Sequence, residues 1–247
     1  MAFTGNTILI TGGTSGIGRA LAEVLQAKSN HVIIAGRRKQ LLDEVTRANP
    51  GMSAIELNMD DAADIARVSA QLTQSFPALN AVIHNAGIMR PEDLKKGEVE
   101  TAEAIITTNL LGPIRLTAAL MPHLLRQPSG TIFTVSSGLA FVPLAFTPTY
   151  NATKAAIHSY TMSLRYQLRD TGLRVREIIP PWVATELMGP VPDDPRAMPL
   201  ADFIRETVQL IDTDADEIKV ERVLPLRNAP KGDEYAFFKN LNDAFSH

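Results

Sequence analysis

No cysteine occurs among the 247 residues, which excludes disulfides, thiol nucleophiles and thiolate metal sites. Excess charge of either sign is missing too. Lys and Arg number 24 against 27 Asp and Glu, for a formal net charge of −3. Without a long basic run, neither a nucleic acid nor an anionic membrane surface has electrostatic support as a partner. No apolar run approaches the ~20 residues that span a bilayer, so no transmembrane segment is expected. Met1 to Gly5 lack the basic region and long apolar core of a signal peptide, and a cytoplasmic protein is the expectation. The five histidines, at 31, 84, 123, 158 and 247, lack metal-ligand spacing, so no metal is expected. His158 is expected on a helix surface or interface. Repeats, low-complexity segments and linkers are also absent, so residues 1–247 read as a single domain, including a substrate loop at about 186–200 and a C-terminal extension at about 212–247.

What is present is an alternation of strands and helices. Thr7 to Ile10 form a short β-branched, apolar run that reads as a buried strand. Further strands are expected at His31–Ala35, Ser53–Leu57, Asn80–His84, Gly130–Val135 and Leu173–Ile179, and near Glu217–Leu224. Between and after them lie helical stretches at Arg19–Gln26, Lys39–Ala48, up to about Phe76, Val99–Leu125, Tyr150 to about Thr171, Leu200–Ile211 and Asp233–Phe245. Pro113 predicts a kink in the longest of these. Met188 to Pro199 contain Pro190, Pro192, Pro195 and Pro199, too much proline for regular structure, and read as a loop able to act as a lid. Such alternation implies an α/β fold, a mainly parallel sheet of about seven strands with helices on both faces.

The first strand runs directly into Thr11-Gly12-Gly13-Thr14-Ser15-Gly16-Ile17-Gly18 and then a helix. In that setting glycines allow a tight turn and close backbone approach to a pyrophosphate, while the helix N-terminus offers free N–H groups to the anion. The second strand ends in Gly36-Arg37-Arg38, where a site for NAD usually carries an acidic residue bonded to the ribose 2′-hydroxyl. Arginine instead favours a 2′-phosphate, hence NADP over NAD. Asn85-Ala86-Gly87 follow the fourth strand and Ser136-Ser137-Gly138 the fifth, both at ends where open α/β sheets bind ligands. Tyr150 and Lys154 stand four apart, on one helix face. A cation beside a phenol favours the phenolate, and lowering the tyrosine pKa in this way suits it to acid/base work.

Together these residues resemble the short-chain dehydrogenase/reductase family from Thr7 to about Thr185. The family's Thr-Gly-x-x-x-Gly-x-Gly matches Thr11, Gly12, Gly16 and Gly18; its Asn-Ala-Gly matches Asn85, Ala86 and Gly87; its mid-helix Asn matches Asn109. Its Ser, thirteen positions before the Tyr, matches Ser137, and its Tyr-x-x-x-Lys matches Tyr150 and Lys154. The resemblance implies a three-layer doubly wound (Rossmann) fold and an oxidoreductase that interconverts a small carbonyl and alcohol with NADPH, NAD being possible. Tyr150 would be the general acid/base, Lys154 would lower its pKa and hold ribose hydroxyls, Ser137 would bond the reacting oxygen, and Asn109 would anchor a water. The same resemblance implies cofactor contacts from Gly12, Thr14, Ser15, Gly16, Ile17, Gly18, Arg37, Arg38, Asn58, Met59, Asn85, Ala86, Gly87, Tyr150, Lys154, Pro180, Val183 and Thr185. A homodimer or homotetramer, paired through the Val99–Leu125 and Tyr150–Thr171 helices, is likewise implied.

Several positions depart from the family pattern. His84 stands where the family often has Asn, Asn58 where Asp is common, Ser15 where NADP-preferring members often carry a basic residue, and Pro181 where Gly is usual. The tract Glu217–Val223 lacks the usual glycine-rich ending, and with Ser137–Phe141 and Pro180-Pro181 resembles a bacterial branch associated with D-alanylation of teichoic acids. Two rivals stand beside the leading reading: a catalytically weak NADP-binding protein with a regulatory or assembly role, and an NAD-dependent alcohol dehydrogenase.

Overall fold

The computed structural model describes residues 2–190, 193–229, 232 and 234–245, apart from the Glu234 side chain. Pro192, Asp233 and His247 lie outside the described residues. In chain order the elements are β1 (Thr7–Thr11), α1 (Gly16–Ala27), β2 (His31–Gly36), α2 (Lys39–Ala48), β3 (Ser53–Glu56), α3 (Ala62–Ser75) and β4 (Leu79–His84). After these come α4 (Glu100–Ile106), α5 (Gly112–Leu124), β5 (Gly130–Val135), α6 (Pro148–Gln167), β6 (Leu173–Ile179), α7 (Leu200–Ile211), β7 (Glu217–Lys219), α8 (Leu224–Arg227) and α9 (Glu234–Asp243). The seven strands form one sheet in the order β3-β2-β1-β4-β5-β6-β7, and every pairing is parallel. The α/β reading of the sequence therefore holds.

Both faces of the sheet are covered, which is why the strands are nearly continuous apolar runs. On one face Ile8, Ile10, Val32, Ile34 and Phe133 pack with Leu21 and Leu25 of α1, Leu42 and Val45 of α2, and Phe203 and Ile211 of α7. On the other, Leu9, Ile33, Val82 and Ile132 meet Ile65, Val68 and Leu72 of α3, Leu116, Leu120 and Leu124 of α5, and Leu164 of α6. Each such side chain, fully buried, contributes roughly 1.5–3 kcal/mol. Because β1 and β4 are neighbours while the chain winds outward from them in both directions, a crevice opens at their C-terminal ends.

The long helix expected from Val99 to Leu125 is interrupted rather than simply kinked. Thr107–Leu111 adopt a π-helical turn between α4 and α5, where the Gly112 N–H reaches the Thr107 carbonyl five residues back. Pro113 sits in the first turn of α5; it has no N–H to give to the Asn109 carbonyl four residues earlier, so the regular ladder is broken at that point. By length and composition, Glu100–Leu124 is apolar enough to cross a membrane, with a mean hydropathy of 1.3. Its apolar stripe is spent on the protein core instead, through Leu116, Leu120 and Leu124. The last strand also differs from expectation. It ends at Lys219, because Glu221–Val223 turn into a 3-10 helix that leads into α8.

Candidate active site

The glycine turn is built by steric necessity. Gly12 and Gly16 have φ of +68° and +53°, a region that side chains disfavour. A Cβ on Gly18 would lie 2.3 Å from Asn85 Nδ2 and from the Gly12 carbonyl oxygen, and one on Gly13 would lie 2.5 Å from Ile34 Cγ2. Ser15 precedes α1 in extended conformation without a side-chain cap, and the first turn of α1 carries no acidic residue. The helix N-terminus, Gly16-Ile17-Gly18, thus presents uncapped N–H groups and the positive end of its dipole to the crevice. Asn85 holds the turn in place: its Nδ2 donates to the Thr11 and Gly12 carbonyls at 3.0 and 3.3 Å. Thr11 completes the clamp, its Oγ1 accepting from the backbone N–H groups of Asn85 and Ala86. Thr11, which the sequence marks only as the first residue of the glycine motif, thus has a part in shaping the site that its position in the motif does not reveal. Thr185 approaches Gly16 from the opposite wall, at 3.6 Å from a Cβ built there. Val183 is buried in the core on that wall, and the Pro180 carbonyl accepts from Gly138 N.

At the far edge, the two arginines have different partners. Arg37 pairs with Asp60 at 3.1 Å, and the other Asp60 oxygen accepts from the Thr108 hydroxyl. Arg38 reaches back over the turn to Thr14 Oγ1 at 3.1 Å and Ser15 Oγ at 3.2 Å. It supplies the cation beside Ser15 that the sequence lacks at position 15 itself. Asn58 is used locally: its N–H donates to Asp64 and its Oδ1 accepts from Asp60 N. Met59 turns into the core, where a Cβ on Gly112 would meet its carbonyl at 2.8 Å.

The four residues expected to act together do converge. Gly87 marks the meeting point, since a Cβ there would lie 3.3 Å from Asn109 Oδ1 and 3.8 Å from Lys154 Nζ. The π turn places Asn109 against the loop after β4, where its amide pairs with both the N–H and the carbonyl of Ile88 at 2.8 and 2.9 Å. Asn109 Nδ2 also reaches Thr153 Oγ1 at 3.3 Å, a contact no sequence pattern announced. Ser137 accepts from Leu139 N at 3.1 Å, which leaves its own proton to donate. His84 is buried just before this tip, its Nε2 bonded to Thr117 Oγ1, and burial pushes its pKa down to about 4, so it is neutral and structural.

Protonation differs from the expectation that Lys154 lowers the pKa of Tyr150. Burial pushes the Tyr150 phenol up to about 12, and the hydrogen bond with Ser137 pulls it only part of the way back. Burial likewise brings Lys154 down to about 8, with Glu177 acting in the opposite direction. The Lys154 ammonium lies 5.5 Å from the Tyr150 ring centroid and donates to the Val135 carbonyl at 2.7 Å. Desolvation is the largest cause for both groups. At neutral pH the pair is a protonated phenol beside an ammonium, a proton donor facing the crevice.

Around this point, Met89, Ile105 and Tyr150 form an apolar cluster with Ile88 and Leu139 packed on it. At the end of the proline-rich segment, Met198 bonds to Trp182 and Ala184 through its backbone at 2.8 Å each, and the Arg196 guanidinium lies over the rings of Trp182 and Phe245. Asn242 of α9 ties down the opposite loop through Pro143 and Ala145. His158, expected on a helix surface or interface, is partly buried and turned inward. It bonds through Nδ1 to both oxygens of Glu177, at 3.0 and 2.8 Å, and Glu177 is fully buried.

Residues 6–196 match the family described as short chain dehydrogenase. The chain is 38% identical over 248 residues to the uncharacterized oxidoreductase DltE of Bacillus subtilis (strain 168), covering 98% of each. It is 31% identical to the uncharacterized oxidoreductase SSP0419 of Staphylococcus saprophyticus, over 73% of this chain and 80% of that one. Among solved structures, a short chain dehydrogenase from Burkholderia cenocepacia J2315 in complex with NADP superposes with a TM-score of 0.84 at 24% identity, covering 98% of this chain and 99% of the other. A short-chain dehydrogenase from Sphingobium yanoikuyae in complex with NADPH gives 0.80 at 25% identity, covering 95% of each.

Proposed function

The chain belongs to the short chain dehydrogenase family, and we propose that it is an NADPH-preferring oxidoreductase interconverting a carbonyl and an alcohol, with Tyr150 as general acid and base. The observation that carries this reading is the convergence of Asn109, Ser137, Tyr150 and Lys154 at the crevice beside the glycine turn. The glycine turn suits a dinucleotide: it leaves room at Gly12, Gly16 and Gly18 that any Cβ would fill or strain, and it carries an uncapped helix N-terminus for a pyrophosphate. Arg38, with Arg37 beside it, would take a 2′-phosphate, as the NADP and NADPH complexes of two structural relatives are consistent with.

When bound, the nicotinamide supplies or accepts a hydride. Tyr150 then gives its proton to the oxygen of a carbonyl substrate, or takes one from an alcohol, and such positioned proton transfer contributes typically ~10²–10⁴-fold. Ser137, with its Oγ lone pair committed to Leu139 N, donates its hydrogen to that same oxygen. Lys154 would hold the ribose hydroxyls of the bound cofactor with its ammonium. Asn109, locked to Ile88, keeps the loop after β4 in shape and stations a water that connects Lys154 to solvent. The Met89–Ile105–Tyr150 cluster, with the proline-rich segment as a lid, excludes other water from the reacting carbon.

The test is NADPH oxidation across a panel of aldehydes and ketones by the wild type and by Tyr150→Phe. Turnover that disappears in the variant supports the reading; turnover that survives unchanged overturns it. We also propose that residues 1–247 form one domain, expected to unfold in a single cooperative transition. A homodimer or homotetramer is proposed from the exposed Val99 and Ile106 at the two ends of α4, Leu111 in the π turn before α5, and Met162 and Tyr166 of α6. Sedimentation of a species of monomer mass would remove that part.

A further inference from the structure

A buried carboxylate sits behind the catalytic helix with no role in the chemistry above. Glu177 of β6 is fully buried and both its oxygens face His158 Nδ1, one helical turn beyond Lys154. Beside it, Glu217 of β7 is held by Arg227 of α8 through a bidentate pair at 3.0 and 2.8 Å and by Lys219 at 3.0 Å. Arg227 also covers the Phe141 ring at 4.6 Å, and Phe141 stands edge-on to His158 at 4.8 Å. From the same segment, Leu226 and Val223 press on the position after Ser137: a Cβ on Gly138 would come within 2.6 and 3.0 Å of them.

We propose that Glu177, held by His158 and backed by the Glu217–Arg227 pair, is a positioning residue for Lys154. The proposal rests on the reading of Lys154 as part of the active site. Lys154 is an almost fully buried ammonium whose hydrogen bond goes to the neutral Val135 carbonyl. A buried charge without a counter-charge is strongly disfavoured, so something must hold it. Val135 pairs with Ile178, the residue after Glu177 in β6, and Glu177 meets His158 four residues beyond Lys154 on α6, which sets the carboxylate about one helical turn from the lysine. Glu177 is the group that favours the charged lysine against desolvation. The groups that face this region are His158 and Tyr150 from α6, Glu177 from β6, Glu217 and Lys219 from β7, and Arg227 from α8. Lys219 and Arg227 neutralise Glu217, which leaves Glu177 as the negative charge available to Lys154. The oxygens of the two glutamates and a nitrogen of His158 also lie within 4.8 Å of one another, as metal ligands would. Glu217 is already saturated by two cations, and a positioning role needs no ligand to explain the cluster.

Two substitutions push Lys154 in opposite directions, which a merely structural role would not do. Glu177→Gln removes a negative charge and keeps the shape; Arg227→Met removes a positive charge and leaves Glu217 less compensated. The alkaline pH dependence of unfolding, taken as the difference between each protein and the same protein carrying Lys154→Met, isolates the titration of Lys154. Glu177→Gln is expected to lower the midpoint by about one pH unit, Arg227→Met to raise it, and Arg227→Lys to leave it at the wild-type value. Midpoints that stay together in Glu177→Gln and Arg227→Met overturn the proposal. If Glu177→Gln does not fold, the two Arg227 variants decide by themselves, an unmoved midpoint in Arg227→Met counting against it. NADPH affinity measured in parallel separates the two readings, because absent binding with shifted midpoints overturns the cofactor site and leaves the positioning role standing.

Discussion

The two halves of the sheet meet at one crevice and prepare it by different physics. The β1–β3 half works with space and backbone: glycines at positive φ, an uncapped helix end and two half-exposed arginines. The β4–β6 half works with buried side chains whose protonation is set by desolvation and by neighbouring charges. The first kind of site is rigid because nothing else fits. The second is tuned, because a buried proton responds to every charge placed near it.

Tyr150→Phe breaks the tuned half most severely. With the ring and its packing kept, turnover is expected to fall by roughly 10²–10⁴-fold while NADPH affinity stays near wild type, as steady-state kinetics and fluorescence titration would show. An equal loss of affinity would mean that the two halves are not separate. Lys154→Met tests desolvation directly. Lys154 has a folded pKa of about 8 against an ordinary 10.5, so between these values the unfolded chain holds a proton that the folded one does not. Stability contributed by this group is therefore present above pH 10.5 and is lost as pH falls toward 8. The variant should gain on the wild type by up to roughly 3 kcal/mol near neutral pH, less the lost Val135 hydrogen bond, and the gain should vanish toward pH 10.5 in urea unfolding. Tyr150 has the opposite sign, its pKa being raised to about 12; its contribution is complete below pH 10 and disappears between 10 and 12.

The backbone half should respond to volume. In Gly18→Ala the new Cβ meets Asn85 Nδ2 and a backbone oxygen at 2.3 Å, and overpacking of ~1–3 kcal/mol should weaken NADPH and NADH alike by about ten- to a hundredfold, with the melting temperature lowered. A variant that binds both normally would remove the steric account. The smallest effect is the most selective. Arg38→Ala or Arg37→Ala should weaken NADPH by roughly five- to tenfold and leave NADH unchanged. Arg38 is expected to matter more, because Asp60 already engages Arg37.

Much of the first half was legible because its chemistry lies within one stretch of chain. Gly12, Gly16 and Gly18 follow a strand and open a helix, and local sterics alone demand them. The spacing of Tyr150 and Lys154 was legible for a similar reason, since a helix places such residues on one face. Their protonation was not. The sequence reading had the lysine lowering the tyrosine pKa, whereas burial by Met89, Ile105 and the sheet raises it. The partner of His158 was not legible either: its helix position left surface or interface open, and only the placement of β6 under α6 brought Glu177 to it.

By itself, then, the sequence determined the alternation of strands and helices, the parallel sheet with its crevice, and the residue types gathered there, because hydrophobic period and glycine sterics act over a few neighbouring residues. The tertiary structure alone decided which charged and polar groups would meet: Arg38 over Ser15, Asp60 on Arg37, His158 on the buried Glu177, and Arg227 returning from the end of the chain to Glu217. Burial and electrostatic coupling depend on distances between segments far apart in the chain, and only the packed fold sets those distances.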